Sequence, residues 1–267
     1  MLGPMASAFG EQLKAWRKTR GLSQLDLAVA AGMSPRHLSF LETGRSRPRT
    51  PAVLKLAETL AVPLRERNAL LRAAGLPAAY EERPVEGEAL APYRRIAREL
   101  LARQEPYPAF VVDGVWRVVD ANATARALLP VLAELPADLM RVMLGEGGLR
   151  PLLANFDEVA SASLARMRRE AVEHGRAALR VQVDAAAAAL GLEASLSPTG
   201  PTLIGPRLLL PGTEDEVQLV TTVARFSGAN DVFLDEVRVE LVFAADDASA
   251  ARYERWHRGW GGPSVGA

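Results

Sequence analysis

The chain has 267 residues, of which 49% are hydrophobic and 24% charged, with no cysteine. That length suits two domains, and the composition excludes a disordered chain. The lack of cysteine excludes disulfides, thiolate metal sites and cysteine nucleophiles. No apolar run approaches the roughly 20 residues of a membrane span. The first residues lack the basic start and apolar block of a signal peptide, so no membrane partner is expected and the expected location is the cytoplasm. The formal net charge is zero but unevenly spread. Residues 1–75 carry twelve Lys/Arg against five Asp/Glu, a net of +7; the rest carries 20 against 27, a net of −7. A basic first part and an acidic remainder suit a chain that meets a polyanion at one end only.

A first helix is predicted from Phe9 to Thr19, with Phe9, Leu13 and Trp16 forming its apolar face. Ser23 is a good N-cap for a second helix, Gln24 to Ala31, whose predicted buried stripe is Leu25, Ala28 and Val29. Gly32 ends it, Met33 plugs the turn, Ser34 caps a third helix and Pro35 sits in its first turn. In that helix Leu38 and Leu41 point inward, Pro35, Arg36, Ser39 and Phe40 point outward, and Gly44 stops it. Two short helices joined by a tight turn, the second with one buried and one free face, satisfy the needs of a helix-turn-helix. The pattern Gln24, Gly32-Met33-Ser34, Leu38-Ser-Phe-Leu-Glu42, Gly44 and Pro48 resembles the Xre or phage-repressor type. That resemblance implies that Arg17 packs onto Glu42.

Double-stranded DNA is therefore the expected partner. Arg36 is the candidate for bidentate reading of guanine, Phe40 for contact with a thymine methyl, and Ser39 for either base type. Ser34, Pro35 and His37 complete the candidate contact face of that helix. Gln24 and the basic loop residues Arg45, Arg47 and Arg49 are candidates for backbone phosphates. Further helices are predicted from Thr50, with Val53, Leu54, Leu56, Ala57 and Leu60, and from Arg65 to Ala74, with Leu70 and Leu71. Residues 7–76 thus form one expected domain, residues 77–91 a linker, 92–257 a second domain and 258–267 a tail.

In the second domain a helix is predicted from Pro92 to Gln104, burying Tyr93, Ile96, Leu100 and Leu101. The period then changes: 109–113 and 116–120 read as strands around Asp113-Gly114, and Asn122 leads a short helix to Leu129. Helices follow at 136–145, 149–154, 155–174 and 177–195, and a strand at Arg207–Leu210 within the Pro/Gly-rich stretch 198–212. Strands are predicted at Val217–Phe226 and Val237–Ala245, with Gly228 to Asp231 between them. An acidic helix, Ala248 to His257, closes the domain. On the last strand Val237, Val239, Leu241 and Phe243 alternate with Arg238, Glu240 and Val242.

The strand–turn–strand–Asn–helix opening resembles a PAS-type domain. Together with Gly148-Leu-Arg150-Pro-Leu-Leu-x-Asn155-Phe156, Arg225-Phe226, Asp231-Val-Phe-Leu-x-Glu236 and Phe243-x-x-Asp246, it makes the chain similar to the MmyB-like transcription regulators from about residue 9 to 255. Phe156 stands where many members carry tryptophan, and the 177–206 region lacks the tryptophan and histidine that many members have there. The implied fold is an all-α five-helix lambda-repressor-like DNA-binding domain followed by an α+β PAS-like domain with an antiparallel sheet. The implied function is transcription regulation through a small apolar ligand, a fatty acid being one candidate; a homodimer is expected separately, because two half-sites a helical turn apart multiply modest single-domain affinity.

Candidate ligand walls are Phe110, Trp116, Met140, Met143, Leu144, Phe156, Leu164 and Met167, with Asn122 and Arg150 as candidate polar anchors. The same residues also suit an ordinary core, a helix cap and a surface ion pair. An alternative keeps DNA binding and gives the C-terminal domain only dimerisation or protein interaction. His37, His174 and His257 lie far apart, and no HExxH, GxSxG, P-loop or GxGxxG occurs, so no metal, cofactor or catalysis is expected.

Overall fold

The computed structural model describes residues 4–83, 87–192, 205–226 and 230–260, with side chains from Ala8 onward. The expected linker, alanine-rich helix, Pro/Gly-rich stretch, 228–231 connection and glycine-rich tail each lie partly outside these residues. The chain forms two compact units: one takes in Met1–Arg83 with the short segments Glu170–Ala177 and Gly228–Asp235, and the other takes in the rest.

In the N-terminal segment of the first unit the described residues form five helices: α1 (Pro4–Thr19), α2 (Gln24–Ala30), α3 (Pro35–Glu42), α4 (Thr50–Thr59) and α5 (Leu64–Ala73). Phe9, Leu13, Trp16, Leu38, Leu41, Val53, Leu56, Ala57, Leu60, Leu70 and Leu71 meet in one core. Each fully buried Val, Leu or Phe among them contributes roughly 1.5–3 kcal/mol by leaving water. α1 starts earlier than predicted. The stripe predicted for α2 is rotated: Leu27, Ala28 and the following Ala31 are buried, whereas Leu25 and Val29 are 59% and 71% exposed. Apolar spacing alone did not say which of two overlapping stripes faces the core. The packing of α2 against α3 and α4 decides it.

After α5 the chain is fastened rather than loose. The buried Asn68 accepts hydrogen bonds from the Ala79 and Tyr80 amides (both 3.1 Å) and donates to the Tyr80 carbonyl (2.8 Å) and to Glu82 (3.0 Å). The Glu82 carboxyl is held below the usual carboxylate range by hydrogen bonds from Asn68 and Arg72, with Arg72 and Arg65 adding charge.

The second unit is α+β. Its elements are α6 (Ala91–Arg103), β1 (Ala109–Val112), β2 (Arg117–Ala121), α7 (Ala123–Leu128), β3 (Ala137–Asp138), α8 (Leu139–Leu144), α9 (Phe156–Glu173), α10 (Ala177–Leu190), β4 (Arg207–Leu209), β5 (Glu216–Arg225), α11 (Val232–Glu236), β6 (Arg238–Ala244) and α12 (Asp247–Gly259). The C-terminal end of α9 and all of α11 but Glu236 belong to the segments counted with the first unit. The six strands form one sheet in the order β3-β2-β1-β6-β5-β4. Every neighbouring pair is antiparallel, and the last strand inserts beside the first. One face of the sheet meets α7, α8, α9 and α12 in a core containing Val112, Val118, Leu132, Val142, Met143, Phe156, Val217, Leu219, Val242, Tyr253 and Trp256.

Three expectations need correction. On α6, Ala97 and Leu101 are buried, while Tyr93 and Leu100 are half-buried and Ile96 is 38% exposed. At β6, Val237 and Val239 are buried as the alternation predicts, but Arg238 and Val242 of the alternate set are buried as well and Phe243 is 42% exposed. The segment between the last two long strands holds the short helix α11, which was not predicted. Asp231 starts it by accepting hydrogen bonds from the Phe233 and Leu234 amides.

Candidate nucleic-acid interface and ligand-binding core

The reader is built from its caps inward. The Ser23 hydroxyl accepts from the Asp26 amide (3.1 Å), and Asp26 accepts in return from the Ser23 amide (2.9 Å). This reciprocal box satisfies two donors that a helix start leaves unpaired, and it lowers the Asp26 pKa. Gly32 takes φ +60 to turn the chain, a conformation that a Cβ disfavours. The Ser34 hydroxyl then accepts from the His37 amide (3.2 Å), and Pro35 occupies the first turn of α3. Leu38 and Leu41 anchor the inner face at 0% exposure.

The brace implied by the repressor resemblance is present. Arg17 donates two parallel hydrogen bonds to Glu42, from Nε to Oε1 (2.6 Å) and from Nη2 to Oε2 (2.9 Å), and a third to the Leu22 carbonyl (2.8 Å). Burial pushes the Glu42 carboxyl up, but the hydrogen bonds from Arg17 and Gln24 and the charges of Arg17 and Lys14 outweigh it, leaving the pKa below its ordinary value. The Arg17 guanidinium moves up, chiefly through its bond to Glu42. Gly10 was missed from sequence: a Cβ there would lie 2.4 Å from the Glu42 carbonyl oxygen, so α1 and α3 touch backbone to backbone. A lone glycine in a helical pattern carries no mark of the neighbour it must admit.

The ten candidate DNA residues fall into distinct settings. Pro35, Arg36 and His37 are exposed on α3, and Ser39 and Phe40 are half-buried. Ser34 is the cap. The Gln24 amide donates to Glu42 Oε2 (2.7 Å), so it supports the brace. Arg45, Arg47 and Arg49 are exposed along the loop between α3 and α4. The Arg45 and Ser46 amides bond the Phe40 carbonyl, which ties that loop to the end of α3.

In the second unit the ten candidate ligand residues do not form a single wall. Met143 and Phe156 belong to the main core, and Phe110 and Leu144 pack against it. Leu164 and Met167 are buried on α9 outside that cluster, and Met140 is half-buried. Trp116 is buried for a different reason. Two guanidinium groups pack on its ring, with Arg238 Cζ 3.9 Å and Arg166 Cζ 4.6 Å from the centroid, and Glu240 accepts from both arginines. Its φ of +64 follows the Asp113 turn, in which Asp113 accepts from the Val115 and Arg117 amides.

Asn122 is the cap of α7. Its Oδ1 accepts from the Ala125 (3.0 Å) and Ala109 (3.1 Å) amides, and its Nδ2 donates to the Tyr107 carbonyl (2.8 Å) and more distantly to that of Leu101. These bonds occupy both ends of a 5% exposed amide. Arg150 is exposed and lies over the Phe156 ring at 5.3 Å. The main omission was the aromatic inner face of α12, a helix that the sequence did predict. Tyr253 is fully buried, stacks on Tyr107 at 4.6 Å and donates to the Pro106 carbonyl. Trp256 stacks on Trp260 at 4.5 Å and donates to the Pro211 carbonyl. Burial, with Glu105 and Tyr107 nearby, pushes the Tyr253 hydroxyl pKa strongly up. The spacing Tyr253, Trp256, Trp260 was a visible helical stripe, masked by the acidic start of the helix and the glycines after it.

A capped helix-turn-helix with an exposed basic face, joined to an α+β domain whose last strand inserts beside its first, defines a DNA-binding regulator with a PAS-like module. Residues 8–70 match the helix-turn-helix domain family, and residues 93–255 match the family described as MmyB-like transcription regulator ligand binding domain. The chain belongs to the MmyB-like transcription regulators. It is a transcription regulator with a DNA-binding and a ligand-binding domain, both of regulatory families. No curated protein matches the chain. Among the described residues no helix is long and apolar enough to cross a membrane.

Proposed function

We propose that residues 7–76 bind a specific operator, that residues 77–91 connect them to a sensor domain at 92–257, and that the sensor takes a small apolar ligand such as a fatty acid. The observation that carries this reading is the joining of an exposed α3 face to a domain of the ligand-binding family. On α3, Arg36, Ser39 and Phe40 face base edges, with Pro35, His37 and the N-cap Ser34 beside them. Arg45, Arg47 and Arg49 contact phosphates and set position. Gln24 serves mainly by holding Glu42. The regulator acts in the cytoplasm as a homodimer on two half-sites about one helical turn apart. Ligand changes operator affinity only through a difference in its affinity for the two states of the dimer.

The core around Met143, Phe156, Phe110 and Leu144 is the apolar region this reading assigns to the ligand. Asn122 is assigned to the scaffold, and Arg150 remains the exposed candidate for a carboxylate. The test is mass spectrometry of the denatured purified protein for a co-purifying lipid, paired with operator titrations with and without an added long-chain fatty acid. A bound lipid and a shifted operator affinity are expected. With neither a lipid nor any shift, the sensor reading fails, and dimerisation or protein interaction is left as the role of the C-terminal domain.

A further inference from the structure

One pair of side chains on α3 is joined away from the core. Arg36 Cζ lies 5.3 Å from the centroid of the Phe40 ring. Arg36 is exposed and Phe40 half-buried. The residues are four apart, so they lie one above the other on one helix face. A guanidinium stacked on a ring keeps its in-plane N–H donors free to bond. It also loses part of its rotamer freedom before DNA arrives, which lowers the entropy cost of docking it.

The ring has a reading role of its own. Phenylalanine has no donor or acceptor, so in the major groove it discriminates only by apolar contact, and the pyrimidine C5-methyl is the apolar group there. The 5.3 Å between the groups exceeds the roughly 3.4 Å between successive base pairs, so the pair spans far enough to reach two neighbouring base pairs. We propose that Arg36 and Phe40 read as one unit, the guanidinium taking a guanine and the ring taking the C5-methyl of a pyrimidine in the adjacent pair. The operator then holds a guanine beside a thymine or 5-methylcytosine, and Phe40 is both a reader and the positioning residue for Arg36. This rests on the operator-binding function proposed above.

The full chain is used to select duplexes from a randomised pool at fixed salt. The enriched duplex is then made with thymine, uracil, cytosine or 5-methylcytosine at the pyrimidine beside the guanine. Wild type binds the thymine duplex about 3- to 5-fold tighter than the uracil duplex, the worth of one methyl group. Phe40→Ala loses that difference and part of the guanine preference. Phe40→Leu keeps the methyl preference while losing the stack. Arg36→Ala lowers the guanine preference roughly 5- to 150-fold. Helix content measured by circular dichroism verifies that each variant is folded.

Preference for 5-methylcytosine over cytosine extends the reader to methylated sites, and its absence assigns the methyl to thymine; either result supports the pair. Equal binding of thymine and uracil by wild type, or a methyl preference that survives in Phe40→Ala, overturns it. A selection that enriches no sequence overturns operator binding itself, which separates the two failures.

Discussion

The two units carry function in opposite places. In the helix-turn-helix, Leu38 and Leu41 face the core while Arg36 projects to solvent, so the side chains that hold the fold and those proposed to meet DNA differ in chemistry. In the PAS-like unit, the interior that the proposed ligand would enter is lined by the same Phe, Met and Leu side chains that make the core. The first arrangement sorts residues by polarity and can be read along one helix. The second does not, because apolar contact is non-directional and a buried phenylalanine looks the same whether it touches a ligand or a leucine.

The strongest way to sharpen this contrast is to break the brace that holds α1 to α3. Glu42→Ala leaves the largely buried Arg17 guanidinium without its partner. The expected loss is about 3–5 kcal/mol, measured by urea denaturation of the full chain. A loss below about 1 kcal/mol would place the pair among weak surface bridges and separate recognition from scaffold less cleanly.

Gly10→Ala comes next. Its Cβ would meet backbone at 2.4 Å, so a cost of roughly 1–3 kcal/mol is expected. The variant should also weaken DNA binding, because α3 must move. If Gly10→Ala keeps wild-type stability, the close approach of α1 to α3 is not a constraint.

In the other unit, Asn122→Ala removes a cap and unsatisfies two buried amides, at about 1–3 kcal/mol. If Asn122 is purely scaffold, ligand affinity measured on the remaining folded protein stays unchanged. A selective loss of ligand with stability intact would return Asn122 to the site.

A pH series isolates the brace. The folded Glu42 pKa lies below the ordinary carboxylate value, which is about 4.3. Its contribution is therefore complete above that value and is lost as pH falls through the folded pKa. Glu42→Gln should flatten the acid limb of the stability curve from about pH 5 downward; an unchanged slope would mean that other carboxylates dominate.

The smallest effect tests the corrected stripe of α2. Leu25→Ser and Val29→Ser, both on exposed positions, should change stability within about ±0.5 kcal/mol. Leu27→Ala should cost about 2–5 kcal/mol. A large cost at Leu25 would reinstate the first reading of that helix.

From the sequence alone came the helix-turn-helix with its caps, the Arg17–Glu42 pair implied by family resemblance, the uneven charge, and the strand–turn–strand–Asn–helix opening of the second domain. Capping, turn and periodicity signals act within a few residues, so they survive in one dimension. Only the tertiary structure decided that Leu25 and Val29 face outward, that Gly10 admits the backbone of α3, that Asn122 is fully engaged with backbone, and that Trp116 packs against Arg166 and Arg238 rather than in the apolar core. Each of these depends on a partner far along the chain: Gly10 meets Glu42, and Trp116 meets Arg238. Which side chains share a face with a distant element is set by how helices and strands pack, and neighbouring residues carry no record of it. The same holds for Arg36 and Phe40: their separation by four residues was visible from the start, but the cation–π contact that joins them was not.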